Sequence, residues 1–193
     1  YSEILKRPIT VKESHWNPSR VRNVCYENHD RQRKQLLLQD LFSAMELTNT
    51  LLVCKNGATA EILEKQLTER GISCTRPSFS LSQAAVKTLA ERLRSQELRA
   101  VILTQRQVSD ILFPGGVRTI IFFSPPSAVY YESGTRSLDE SEEDSSIITL
   151  YTHNEAAQMK KLEEETKVAM KKEDYPDQEE VLKGTAQQIL RHI

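Results

Sequence analysis

The chain has 193 residues, 38% of them hydrophobic and 27% charged, which suits one packed domain with a solvated tail and excludes disorder throughout. Lys plus Arg total 26 against 27 Asp plus Glu, a net charge of −1. A polybasic surface that coats duplexes or membranes is thereby excluded, and any nucleic-acid contact must be local. No apolar run approaches the ~18 residues of a membrane span and no signal-peptide pattern leads the sequence, so a cytosolic or nuclear protein without a membrane partner is expected. The first residue is Tyr1 rather than methionine, which predicts a segment of a longer protein.

Residues 1–20, with Pro8 and Pro18, read as an irregular linker, and 21–27 alternate enough for a short strand. Over 30–47 the residues Leu36, Leu37, Leu41, Met45 and Leu47 fall near a 3.6 period and predict an amphipathic helix. Its basic start at Arg31, Arg33 and Lys34 opposes the helix dipole and reads as a solvated face, with a phosphate-facing patch as the alternative. The run 50–54 is continuously apolar, as in a strand buried on both sides of a parallel sheet. Asn56-Gly57 caps a helix with Ile62, Leu63 and Leu67 that stops at Gly71. A short strand over 72–75 follows, then a helix to about Arg94 capped by Ser80 or Ser82, a buried strand over 100–104 and a helical turn at 108–112. Pro114-Gly115-Gly116 breaks the chain before a strand at 119–123, which Pro125-Pro126 stops. Residues 139–144 hold five acids and predict a loop, 146–151 a strand, 154–172 one long helix, and 178–193 a terminal helix with Val181, Leu182, Ile189 and Leu190. Strands alternating with helices through short joints predict an α/β fold with a mainly parallel sheet covered on both faces.

The chemistry missing from the sequence is as informative. There is no GxxxxGK[ST] loop, so the chain holds no cofactor by itself, and ATP with magnesium would require an upstream domain. GxGxxG and HExxH are absent, and His15, His29, His153 and His192 are scattered. Cys25, Cys54 and Cys74 lack CxxC spacing and read as inert reduced thiols.

The order of Thr50-Leu51-Leu52-Val53-Cys54-Lys55-Asn56, Arg70-Gly71-Ile72, Ala100-Val101-Ile102-Leu103-Thr104 and Ile120-Ile121-Phe122-Phe123-Ser124-Pro125-Pro126 resembles the second RecA-like domain of DEAD-box RNA helicases, over about 21–162. The resemblance implies a RecA-like three-layer α/β domain over 21–173 with a mainly parallel central sheet and helices on both faces. A linker at 1–20, an acidic loop at about 137–145 and a helical tail at 174–193 complete the chain. It also implies RNA-phosphate contacts near Asn56 and at Thr104 and keeps Gln83 at the QxxR site; free N–H groups at the helix N-terminus add Gly57 as an RNA-binding candidate, with Arg106, while plain capping by Asn56 and a strand-end hydrogen bond at Thr104 are the alternatives.

The charged positions depart from the family pattern. Val86 stands where QxxR has its arginine, and Gln105, Ser109 and Leu112 replace an acid, an arginine and an acid of TDxxxRGxD. The HRxGRxGR run shrinks to Tyr131-Glu132-Ser133-Gly134-Thr135-Arg136, so no catalytic residue is assigned and Arg136 alone remains as a candidate finger. An arginine finger contributes roughly 10³ to 10⁵ in phosphoryl-transfer rate. Strand tips poor in guanidinium groups, and no effective ATP-driven unwinding, are therefore expected. The degenerate motifs and acidic insert further resemble the helicase-like regions of Tudor-domain proteins of the piRNA pathway. That resemblance implies PIWI-family and other Tudor piRNA factors as partners, a cytoplasmic germ-granule (nuage) location, and a role in piRNA biogenesis and transposon silencing in the germline.

Three readings follow. The first is a noncatalytic platform for RNA or protein, binding single-stranded RNA weakly. The second is a working half of an ATP-dependent RNA helicase completed by an upstream domain. The third is a protein-docking surface formed by the helix at 154–172 and the tail.

Overall fold

The computed structural model describes residues 21–77, 80–138 and 145–191. The expected linker at 1–20 and the acidic stretch 139–144 lie outside them; Ser137, Leu138 and Ser145, at the margins of the expected loop, are buried. Seven parallel strands form one sheet: β1 (Arg22–Asn28), β2 (Thr50–Cys54), β3 (Cys74–Thr75), β4 (Ala100–Thr104), β5 (Thr119–Phe122), β6 (Ser146–Thr152) and β7 (Lys171–Lys172). Their order is β3-β4-β2-β5-β6-β1-β7. The helices are α1 (Arg31–Ala44), α2 (Gly57–Glu69), α3 (Gln83–Arg94), α4 (Gln105–Asp110), α5 (Ala128–Thr135), α6 (Ala156–Thr166) and α7 (Gln178–Arg191).

Alternation along the strands divides the core between the two faces of the sheet. Leu52, Cys54, Ile102, Ile121 and Ile148 pack under α1 and α2, while Leu51, Val53, Val101, Leu103, Ile120 and Ile147 pack under α3, α5 and α6. The expected three-layer α/β fold is present. Both faces being covered explains why β2 and β4 are continuous apolar runs.

The ends of the helices follow local chemistry. Asp30 and Ser82 accept hydrogen bonds from Arg33 and Ala85 N–H groups as N-caps of α1 and α3. Gly71, at φ 81°, closes α2 as its Thr68 and Leu67 carbonyls take the Gly71 and Ile72 N–H groups. In α1 the inward side chains are Leu37, Leu38, Leu41 and Phe42; Leu36, expected inside, is exposed.

Two expectations are corrected. The helix foreseen over 154–172 ends at Thr166, because Lys167 turns left-handed at φ 57° and Val168 and Met170 go into the core. The chain then adds β7 beside β1. Conversely, α5 is a helix that the sequence pattern did not indicate.

Helix α7 lies on α1 as an outer layer. Gly184 makes this approach possible, since a Cβ built there would collide with the Ser43 carbonyl. Gly184→Ala is therefore expected to detach α7: its amides should exchange rapidly while those of β2 and β4 stay protected, and unchanged α7 protection would contradict this packing.

Candidate nucleic-acid interface

After β2 the chain crosses one face of the sheet through α2, and after the adjacent β4 it turns to the other face through α4. The strand tips thus part at a topological switch point, the place where open α/β sheets bind ligands. A cavity of about 320 Å³ occupies it, lined by Lys55, Asn56, Gly57, Arg76, Thr104 and Arg106 among others. Four sequence-predicted residues, Asn56, Gly57, Thr104 and Arg106, meet here. Gln83 opens α3 as an exposed residue and Arg136 ends α5 exposed, and neither lines this cavity.

Asn56 and Thr104 both act as helix caps. The Thr59 N–H donates to Asn56 Oδ1 at 2.9 Å. Thr104 forms a capping box, its Oγ1 accepting from Gln107 N–H at 3.2 Å and its own N–H donating to Gln107 Oε1 at 3.0 Å. The capping role expected beside the RNA role is thus realised at Asn56, while Thr104 caps α4 where only a strand-end hydrogen bond was expected, and alanine at either position would disturb a helix start as well as the cleft. Gly57 differs: a Cβ there meets nothing within 4 Å, so the first turn of α2 faces open space. That turn presents the positive end of the dipole of a 13-residue helix to the cleft, an arrangement that favours anions.

A second cavity of about 320 Å³ shares Lys55 and Asn56 with the first and adds Arg31, Lys34, Thr59 and Glu155. A third, of about 420 Å³, flanks Arg106 and is edged by Ser80 and Asp110. The expectation of strand tips poor in guanidinium groups is therefore corrected. Arg31, Arg76 and Arg106 converge on them from segments far apart in sequence, because parallel topology places every strand-to-helix turn at one edge of the sheet. Only Arg106 was foreseen at this edge as an RNA contact; for Arg31 a phosphate-facing patch stood as the alternative, and no local signal marked Arg76. Arg76 is partly committed, its Nε lying 3.6 Å from Glu64 Oε1.

Lys34 is almost fully buried. Its ammonium donates to Glu155 Oε1 at 2.9 Å and Ser124 Oγ at 3.1 Å, and sits 4.5 Å from the centre of the Phe123 ring. Burial lowers its pKa, more than Glu155 raises it. Burial pushes the Glu155 carboxyl up, but the Lys34 hydrogen bond and charge outweigh this and hold it below its ordinary value. Glu27 is also held low, by hydrogen bonds from Lys172 and His153. A carboxyl with a depressed folded-state pKa contributes stability above its unfolded pKa, and this is lost as pH falls through the folded value. Stability is expected to drop below the ordinary carboxylate range, and Glu155→Gln should flatten that drop in denaturation midpoints measured across acid pH; an unchanged acid limb would contradict the pairing.

Two of the positions that depart from the family pattern now pack. Val86, on the inner face of α3, is fully buried, and Tyr131 stacks on Phe122 with centroids 5.7 Å apart. Tyr131 OH accepts from Asn23 Nδ2 at 2.5 Å, and burial pushes its pKa up to about 12. Gly134 lets α5 close on Phe122, 2.9 Å from where a Cβ would stand. Ser109 donates to the Arg106 carbonyl, and Leu112 is exposed. The cysteines are free, and burial raises Cys25 to about 11 and Cys54 to about 12, so both stay protonated at neutral pH. Among the described residues no group of three or more His, Cys, Asp or Glu could hold a metal ion, and no helix is long and apolar enough to cross a membrane.

No protein-family model matches the sequence, and no curated protein matches it. Solved structures do match. The C-terminal domain of the DEAD-box protein Dbp5 superposes with a TM-score of 0.72 at 13% identity, covering 92% of this chain and 100% of that one. E. coli DEAD-box protein SrmB, solved bound to regulator of ribonuclease activity A, gives 0.68 at 17% identity, covering 83% and 93%. S. cerevisiae Dbp5 bound to RNA and ADP BeF3 gives 0.67 at 15% identity, covering 88% of this chain and 46% of that one. At these identities the likeness is one of fold: this chain has the RecA-like α/β fold seen in those DEAD-box protein structures.

Proposed function

We propose that this domain grips the backbone of single-stranded RNA at the β2/β4 switch point and performs no phosphoryl transfer. The observation that carries the proposal is the cleft itself, where Lys55, Arg76 and Arg106 surround the open N-terminus of α2. Such groups recognise phosphates and carry no base readout, so binding should be sequence-tolerant. The solved Dbp5 complex with RNA and ADP BeF3 supports the choice of ligand by likeness of fold. Ser109, Leu112 and the solvent-facing Arg136 occupy the positions that the family resemblance assigns to nucleotide chemistry, which supports a noncatalytic role. Arginine groups positioned for a developing γ-phosphoryl charge would be needed for the alternative, an ATP-dependent half-helicase using ATP and magnesium held by an upstream domain.

The degenerate motifs further support membership in a Tudor-domain protein of the piRNA pathway, most like Tudor domain-containing protein 12. PIWI-family and other Tudor factors would be partners, and the germ granule the location. The RNA reading is tested by titrating the chain with single-stranded RNA over a range of salt. Three neutralised phosphates give a slope of log affinity against log salt of about −2, and Lys55→Ala with Arg106→Ala should weaken binding and flatten the slope by about 0.7 per cation removed. Absence of binding at low salt overturns the proposal. The noncatalytic part is tested by RNA-stimulated ATP turnover of the longer protein: turnover at background supports it, and turnover lost on Arg136→Ala overturns it.

A further inference from the structure

Resting on the RNA reading above, we propose that the binding track continues around Asn56 into the second cavity, where Arg31 and Lys55 hold a further phosphate of the same strand. The two cavities meet at Lys55 and Asn56, so a backbone lying against Arg106 and Arg76 is carried past the first turn of α2 towards Arg31. One turn of helix supports both sides. Thr59 donates its N–H to Asn56 Oδ1 at 2.9 Å, and its Oγ1 accepts from Arg31 Nη2 at 3.2 Å, which holds the guanidinium over the cavity.

The other charges of the compartment are already consumed. Lys34 gives its ammonium to Glu155 and Ser124, while Glu155 Oε1 accepts from both Lys34 and the Thr152 N–H. The internal pair cancels, leaving Arg31 and Lys55 as exposed cations facing an incoming anion. The basic start of α1, unfavourable for its own helix dipole, thereby gains a function: Arg31 serves the N-terminus of α2 rather than that of α1. The track would lengthen the footprint without adding base recognition.

The test is anisotropy of a labelled oligouridylate long enough to cross both cavities, measured over a range of salt with wild type, Arg31→Gln, Arg106→Ala and, as a distant surface control, Lys160→Gln. Glutamine retains a donor for Thr59 and removes the charge, and the thermal midpoint confirms folding. Expected are a several-fold loss of affinity and a slope shallower by about 0.7 for Arg31→Gln, a comparable change for Arg106→Ala, and none for Lys160→Gln. RNA binding that depends on Arg106 but ignores Arg31 overturns the second compartment and leaves the first intact. Equal effects of Arg31→Gln and Lys160→Gln reduce it to overall charge and also overturn it. Absence of RNA binding in the wild type overturns both readings together.

Discussion

Asn49→Ala is expected to destabilise the domain by about 3 kcal/mol, a large share of the roughly 5–15 kcal/mol that separates folded from unfolded domains. Asn49 stands just before β2 with φ 54°, a left-handed conformation that asparagine tolerates and alanine does not favour. It is 8% exposed, and its Nδ2 donates to the Leu93 carbonyl at 3.0 Å and the Gly116 carbonyl at 2.9 Å. Its own carbonyl accepts from the Arg118 N–H at 2.8 Å. One side chain therefore fastens the end of α3 and the loop before β5 to the start of the central strand. Loss of two buried hydrogen bonds costs about 1 kcal/mol each with desolvation added, and the left-handed backbone about 1 kcal/mol more. Asn49→Gly relieves the backbone alone and should recover only that last part. Equilibrium urea denaturation measures both, and a loss below about 1 kcal/mol for Asn49→Ala would refute the fastening role.

Glu155→Ala should cost a comparable 3–4 kcal/mol, because it leaves the Lys34 ammonium buried without its carboxylate. Lys34→Met should cost less, since Glu155 is the more exposed partner and keeps the Thr152 N–H. The double variant Lys34→Met/Glu155→Leu should return near to wild type, as replacing a buried pair by apolar groups is often neutral. The pH dependence has a definite sign. A lysine whose folded pKa is depressed opposes folding while charged, and the penalty lifts as pH rises through the folded value towards the unfolded one. Glu155→Ala should therefore gain stability towards alkaline pH relative to wild type. A double variant no better than Glu155→Ala, or no alkaline gain, contradicts the role of the pair.

What the sequence disclosed follows from where local rules suffice. β2 and β4 have the predicted bounds because central strands of a parallel sheet are apolar on both faces and cannot be mistaken for amphipathic segments. Asn56, Ser82 and Gly71 punctuate helices by side-chain and backbone chemistry that acts within four residues. Helix α5 escaped because Val129, Tyr130, Tyr131 and Gly134 are poor helix formers, and the helix forms through packing on Phe122; Ser127 after Pro125-Pro126 was the capping signal that could have revealed it. The break at Lys167 escaped because a lysine carries no left-handed signature, and what stops α6 is the burial of Val168 and Met170. In the candidate site, the residues adjoining strand ends were legible. Arg31 and Arg76 were not singled out as contacts in the cleft, since nothing local shows that the starts of α1 and α2 and the end of β3 share one edge.

Gly57→Asp tests the central claim most directly, because it separates fold from binding. The added side chain has open space, and an acid in the first turn of α2 favours the helix dipole, so the thermal midpoint should hold or rise. A phosphate approaching the same turn would meet a like charge in place of open N–H groups. The account predicts single-stranded RNA affinity at low salt reduced at least about tenfold with stability unimpaired, a cost of about 1.4 kcal/mol in binding. A Gly57→Asp protein that binds RNA as tightly as wild type would show that the strand does not pass the N-terminus of α2, and the proposed interface would be wrong.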